Sequence, residues 1–253
     1  MLKYWINKIK NKLRRKKPVQ ILGLDEFVSA AKKTETRFIF SEDDYFPCLD
    51  DNTNSTDFDR HYIYHPAWAA RIVRQINPEF HIDISSTLHF SSILSAFVPV
   101  KFYDYRPANL VLDNLTSERA DLTNLHFQTE SVHSLSCMHT VEHIGLGRYG
   151  DEIDYDGDLK AIRELSRVLA LNGNLLFVTP IGSRARIYFN AHRVYTLQLI
   201  SDLFSKEGLR LKEFTLIPEN YEDGGLVVGP SPELLNKQTY GCGCFWFIKD
   251  GHR

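Results

Sequence analysis

From residue 66 onward the chain alternates between two hydrophobic periods. Trp68, Ala69, Ile72, Val73 and Ile76 recur at the spacing of one helix face, with Pro66 at the start and Asn77-Pro78 as the stop. Phe80 to Ile84 then reads as strand, Phe90 to Phe97 as helix and Val100 to Tyr103 as strand. Val132 to Met138 is a short apolar run without Pro or Gly, of a length that suits a buried strand. Asp158 to Leu169 places Leu159, Ile162, Leu165, Val168 and Leu169 on one helix face and closes at Asn172-Gly173. Leu175 to Thr179 is an apolar strand ending at Pro180, Thr196 to Glu207 a helix closed by Gly208, and Leu209 to Ile217 and Cys244 to Ile248 are late strands. Strands and helices in this alternation predict an α/β fold, a mostly parallel sheet with helices on both faces.

Upstream the pattern changes. In residues 1–17, Leu2, Trp5, Ile6, Ile9 and Leu13 share one helical face and lysines and arginines surround it. Leu24 to Lys33 reads as a short helix and Arg37 to Phe40 as an extended piece. Ser41 to Arg60 is rich in Asp, Asn, Ser and Thr, as a linker or lid is. The predicted organisation is a basic amphipathic segment (1–20), an extension with lid or linker (21–77) and an α/β domain (78–253).

Composition changes this picture only where charge is uneven. An apolar fraction of 43% and a charged fraction of 25% are ordinary for a globular chain that can bury a normal core. The net charge of -2 hides eight Lys or Arg in residues 1–17, without which 22 basic residues face 32 acidic ones. The basic start suits an anionic membrane surface, with Trp5 at the interface, and equally suits a helix packed on the domain. Nucleic acid is disfavoured, because the body is acidic and shows no basic groove with interleaved aromatics. The four cysteines form no CxxC pair, no apolar run reaches the length of a membrane span, and no secretory signal follows the basic start. A cytoplasmic protein is expected, with the inner membrane face as a peripheral location if residues 1–17 bind lipid.

Candidate chemistry lies at the strand ends, where open α/β sheets place their ligands. Asp83, Ser85 and Ser86 stand where the chain leaves the first strand, before a helix whose free N–H groups can meet a ligand. Asp104 closes the second strand about twenty residues later, the place of an acid that accepts hydrogen bonds from ribose hydroxyls. Asp121 and Leu122 offer a carboxylate beside an apolar residue, suited to an adenine amino group and ring face. Singly, each acid also fits a turn or a cap; jointly they describe an adenosine site.

These acids, with HTVEHI and RELSRVLALNGNLLFVTP, resemble a class I S-adenosylmethionine-dependent methyltransferase, with its Rossmann-like sheet. FVPVKFYDYRP, SLSCMHTVEHIGLGRYGD, FNAHRVYT and YGCGCFWF are similar to the bacterial family known as domain of unknown function 268, over about residues 78 to 249. The resemblance implies S-adenosyl-L-methionine as cofactor, with Asp83, Ser85 and Ser86 at its methionine end, Asp104 at its ribose, and Asp121 and Leu122 at its adenine. The chain departs from the pattern at Ser85, where such enzymes keep a glycine that lets the backbone approach the ligand.

His139, Glu142 and His143 follow the fourth strand, where such enzymes present groups to the methyl acceptor. A histidine there can take a proton from an acceptor hydroxyl or amine, and equally can satisfy a loop carbonyl. The order His139-x-x-Glu142-His143 also matches an inverted zinc-protease motif, but that motif needs a helix and this one follows a strand. A divalent ion held by the three with Asp151 or Asp154 is chemically open, yet no metal site is assigned. Arg148, Asn190, His192 and Arg193 are candidates for substrate contact, the alternative for Arg193 being a loop ordered by pairing with an acid. Cys242 and Cys244 read as core residues of one strand face.

The function expected is methyl transfer from S-adenosyl-L-methionine to a small molecule or a glycan or polysaccharide precursor. The alternative is a degenerate methyltransferase fold kept as a scaffold or binding protein, docked to a membrane or an enzyme partner through residues 1–17.

Overall fold

The computed structural model describes residues 21, 23–31, 33, 38 and 41–250. The basic helix expected in residues 1–17 and most of the extended piece at 37–40 lie outside the described residues. The chain divides between Asp57 and Phe58. Among the described residues the first part holds helix α1 (Leu24–Ala31), with no buried residue, and a 3-10 turn at Glu42–Asp44.

The second part is built on an eight-stranded sheet. Its elements are α2 (Arg60–Ile76), β1 (His81–Ile84), α3 (Leu88–Leu94), β2 (Val100–Asp104), β3 (Leu115–Arg119), β4 (Val132–Met138), α4 (Gly157–Val168) and β5 (Leu169–Ile181), then β6 (Arg186–Tyr188), β7 (His192–Val194), α5 (Leu197–Lys206), β8 (Leu209–Ile217), β9 (Val227–Val228), α6 (Pro232–Lys237) and β10 (Gly241–Lys249). The strand order is β3-β2-β1-β4-β5-β10-β8-β9. Pairings from β3 through β5 are parallel, and those of β10 with β5 and β8 and of β8 with β9 are antiparallel. The expected mostly parallel α/β sheet is therefore present.

Period-two alternation sends side chains to two cores, one on each face. Leu175 and Phe177 of β5 and Phe245 and Phe247 of β10 pack with Ile162 and Leu165 of α4 and Ile200 and Phe204 of α5. Leu176, Val178, Cys242, Cys244 and Trp246 point the other way, into a core shared with Trp68, Ala69, Ile72 and Val73 of α2 and Phe90 and Leu94 of α3. Both cysteines are fully buried there. Among the described residues no helix is long and apolar enough to cross a membrane.

Local chemistry moved several boundaries. Helix α2 begins at Arg60, not at Pro66, because the Asp59 side chain accepts from the Tyr62 N–H and caps it. Pro66 lies inside the helix, and the segment belongs with the sheet instead of with a linker ending at residue 77. Asn172-Gly173 does not close a helix. It lies within β5, where Val132 pairs with Leu169 but Ser134 with Asn174, and the extra residues form an irregularity. Asn172 takes a φ of 60°, and a Cβ on Gly173 would stand 2.7 Å from the Ala170 carbonyl oxygen. Strands β3, β6, β7 and β9 and helix α6 carry patterns too short to read.

Phe204 is fully buried, with ring centroids 4.9 Å from Phe177 and 4.5 Å from Phe247. Phe204→Ala is expected to lower stability by about 3–5 kcal/mol, read from the urea midpoint at unchanged slope.

Candidate active site

Strands β1 and β4 are neighbours, but the chain leaves β1 towards β2 on one side and leaves β4 towards β5 on the other. Such a reversal opens a crevice at the carboxyl ends of the strands. A cavity of about 550 Å³ lies there, lined by the ends of β1, β2 and β4 and by the loops after β3 and β4. Its volume falls within the ordinary range for ligand pockets, roughly 300–1,000 Å³.

Ser85, Asp104, Asp121 and Leu122 all line this cavity. Ser85 adopts a φ of 56°, the left-handed conformation in which glycine is at ease. Its N–H donates to the Tyr103 carbonyl at 2.7 Å, and its own carbonyl accepts from the Thr140 hydroxyl at 3.0 Å. Asp104 Oδ1 accepts from the Arg106 N–H at 2.7 Å, and Asp121 Oδ1 accepts from the Thr123 N–H and hydroxyl. Each acid thus closes a turn with one carboxylate oxygen.

Asp83 and Ser86 are placed elsewhere. Asp83 is fully buried, accepting from the hydroxyls of Ser136, at 2.6 Å, and Ser91. Ser136 accepts in turn from His81 Nε2, and Ser134 donates to His81 Nδ1, so a chain of hydrogen bonds ties β1 to β4. Ser86 accepts from the Met138 N–H at 3.0 Å. Period-two geometry explains this: Asp83 points into the sheet interior, whereas the cavity opens past the strand end.

His139 and His143 line the cavity, and Glu142 lies buried behind them. His139 also has a φ of 56°, and its Nδ1 stands 2.8 Å from Glu142 Oε1. Burial opposes a charge on His139, but the Cys242 sulfur and the Glu142 carboxylate favour the imidazolium and raise its pKa. His143 is pushed the other way, chiefly by burial. Its Nδ1–H donates to the Ala191 carbonyl at 2.7 Å, which fixes the tautomer and leaves the Nε2 lone pair, 3.9 Å from Glu142 Oε1, as the acceptor. Asp151 is occupied by the loop itself, accepting from the N–H groups of Gly145 and Gly147. Gly145 is required, since a Cβ there would lie 2.0 Å from the Asp154 carbonyl oxygen.

The four expected substrate contacts do not line the cavity. Arg193 is buried and donates to the carbonyls of Ile144, at 2.6 Å, and Tyr155, at 2.9 Å, with Asp158 3.5 Å away. A buried guanidinium needs acceptors for its donors, and Arg193 finds them by clamping the loop after β4, so it orders the site instead of touching a substrate. Arg148 is exposed and shares the Ala191 carbonyl, and Asn190 is exposed at the β6–β7 turn. His192 belongs to a row of rings that sequence patterning missed. The row runs from His139 to His61 (5.3 Å), Tyr240 (5.2 Å), His192 (4.9 Å) and Tyr188 (5.4 Å). His61 and His65, four apart on α2, were the available signal, masked by the reading of Pro66 as the helix start.

Comparison with known proteins accords with this geometry. A family profile described as "Caenorhabditis protein of unknown function, DUF268" matches residues 114–206, its description naming a nematode genus where bacterial relatives were expected. Among curated proteins none matches the chain. Solved structures similar to it include the 1,6-didemethyltoxoflavin-N1-methyltransferase of Burkholderia thailandensis, whose structure holds 1,6-didemethyltoxoflavin and S-adenosylhomocysteine (9% identity, TM-score 0.51, 74% of this chain and 79% of that one). The YcgJ protein of Bacillus subtilis is similar at 17% identity and a TM-score of 0.50, over 74% of this chain and 100% of its own. So is the [4+2]-cyclase SpnF, at 9%, 0.50, 74% and 82%. The fold is Rossmann-like, of the class I methyltransferase type. A cyclase among the similar structures shows that this fold does not by itself set the reaction.

Two measurements probe the strand ends. At a φ of 56° a β-branched side chain is strained, so Ser85→Val is expected to lose about 1–2 kcal/mol of stability while Ser85→Gly stays within about 1 kcal/mol of the parent. Burial raises the Asp83 pKa from 3.8 to about 6, against the hydrogen bonds of Ser136, Ser86 and Ser91. Between those values the folded protein holds a proton that the unfolded chain has lost, so rising pH weakens folding, by about 3 kcal/mol in all. Asp83→Asn lacks this titration, and its stability relative to the parent in urea unfolding is expected to rise by most of that amount between about pH 4 and about pH 7.

Proposed function

We propose that this chain is a class I methyltransferase that uses S-adenosyl-L-methionine to methylate a small molecule or a glycan precursor. The observation that carries the reading is the cavity at the β1–β4 reversal, whose lining brings together Asp104, Asp121, His139 and His143. Asp104 would take the ribose hydroxyls, Asp121 and Leu122 the adenine, and Ser85, already in the conformation of the usual glycine, the methionine end. When bound, the cofactor supplies a methyl group on a cationic sulfonium. Asp151, Glu152 and Asp154 also line the cavity with Arg106 and Lys160, the latter paired with Asp154 at 2.7 Å, and the acids outnumber the bases, which favours that cation electrostatically.

On the acceptor side, His143 Nε2 can hold a proton from an acceptor hydroxyl or amine, while alignment of the reacting atoms does most of the work. The ring row running from His139 through Tyr240 to Tyr188 supports a flat or sugar-like acceptor, because stacked rings offer broad apolar faces beside polar edges. The expectation of peripheral membrane contact rests on the charge pattern of residues 1–17 alone.

Calorimetric titration with S-adenosylhomocysteine tests the reading. Micromolar binding, about -8 kcal/mol, is expected, weakened about 10- to 100-fold in Asp104→Ala through loss of charged hydrogen bonds. No heat in the folded parent would favour a scaffold instead.

A further inference from the structure

We infer that His61, His139 and Cys242 form a site for a divalent transition-metal ion, zinc being the best match, at the end of β4. The three side chains come from α2, from the turn after β4 and from β10, and one donor atom of each lies within 4.8 Å of the others. Two imidazole nitrogens and a sulfur suit zinc or cobalt and exclude calcium and magnesium, which prefer oxygen. Ligands in a zinc tetrahedron stand about 3.5 Å apart at bond lengths of roughly 2.0–2.3 Å, so closure needs side-chain shifts of about an ångström.

The surroundings are built as metal sites are. His139 turns Nε2 towards Cys242 Sγ, at 3.5 Å, and Nδ1 towards Glu142, at 2.8 Å. A ligating histidine commonly donates its second N–H to a carboxylate, which fixes the tautomer and aims the coordinating lone pair. Glu142 is therefore the orienting group and not a ligand, and His143 is not among the three donors, so this set differs from the His-x-x-Glu-His order of the chain. Two further groups want a partner. Glu142 Oε2 and His65 Nε2 are buried and have no hydrogen-bond partner among the described residues, a costly state for a polar atom. A divalent cation would balance the buried carboxylate. His65, fully buried with its ring 5.0 Å from that of His139, packs against the site but lies outside this set of three donors. Binding exchanges two protons for the metal: the Cys242 S–H bond and the Nε2–H bond of the His139 imidazolium break, metal–sulfur and metal–nitrogen bonds form, and both protons go to solvent.

The test uses the full chain stripped with a chelator and titrated with cobalt(II), then zinc(II). One equivalent of cobalt is expected to give a thiolate-to-metal charge-transfer band and the strong visible bands of four-coordinate cobalt, and zinc should bleach both. Cys242→Ser should abolish the charge-transfer band. His61→Phe, which keeps the ring stack, and Glu142→Gln should each weaken zinc binding by at least about 10-fold. If Cys242→Ser fails to fold, the parent spectrum and the His61→Phe affinity still decide. Failure of cobalt to bind, binding without a thiolate band, or an unchanged zinc affinity in folded His61→Phe overturns the proposal. None of these readouts depends on binding of S-adenosylhomocysteine, so the two readings fail separately.

Discussion

Both faces of the central parallel strands β1 and β4 are covered, and the placement of the candidate functional groups follows from that constraint. All four residues of β1 and six of the seven in β4 are buried, α2 and α3 shielding one face and α4 and α5 the other. A sheet closed on both faces can meet a ligand only past its strand ends, where the backbone runs out of pairing partners. The reversal between β1 and β4 makes one such end roomy, and Ser85, Asp104, Asp121 and His139 gather there from separate strands and loops.

The same enclosure sets what the polar residues can do. Groups held within the strands must satisfy one another, as His81, Asp83, Ser134 and Ser136 do, and burial pushes the His81 pKa down to about 3 and the Asp83 pKa up to about 6. Groups one or two residues further along escape the sheet. His139 leaves β4 through a left-handed turn that swings its ring against His61 and within reach of Cys242. Asp83 and His139 differ less in chemistry than in register, since a residue inside a strand is committed to the interior while one past its end can face a cavity.

Much of this was legible in the chain. Alternating apolar periods at residues 68–76, 80–84, 132–138 and 158–169 read correctly as helix or strand, because burying one face demands that spacing. Acids at successive strand ends pointed to the cavity wall for Asp104 and Asp121. Asp83 was misplaced because a strand-end motif cannot show whether a residue falls one position inside the last pairing. Arg193 was read as a substrate contact because a basic loop residue looks alike whether it faces a ligand or clamps carbonyls. Pro66 was taken as a helix start because the Asp59 cap, seven residues earlier, sat in a stretch dominated by turn-forming residues.

Sequence by itself determined the fold class, the order of the longer elements and the neighbourhood of the site, since these rest on local periodicity and on turn and cap chemistry between near neighbours. Tertiary structure alone decided which side chains meet. His61, His139 and Cys242 are separated by 78 and 103 positions along the chain, and no local spacing encodes their approach. They come together because α2 packs on the sheet face that Cys242 shares and because β10 inserts beside β5, decisions made by burial of apolar surface across the whole domain.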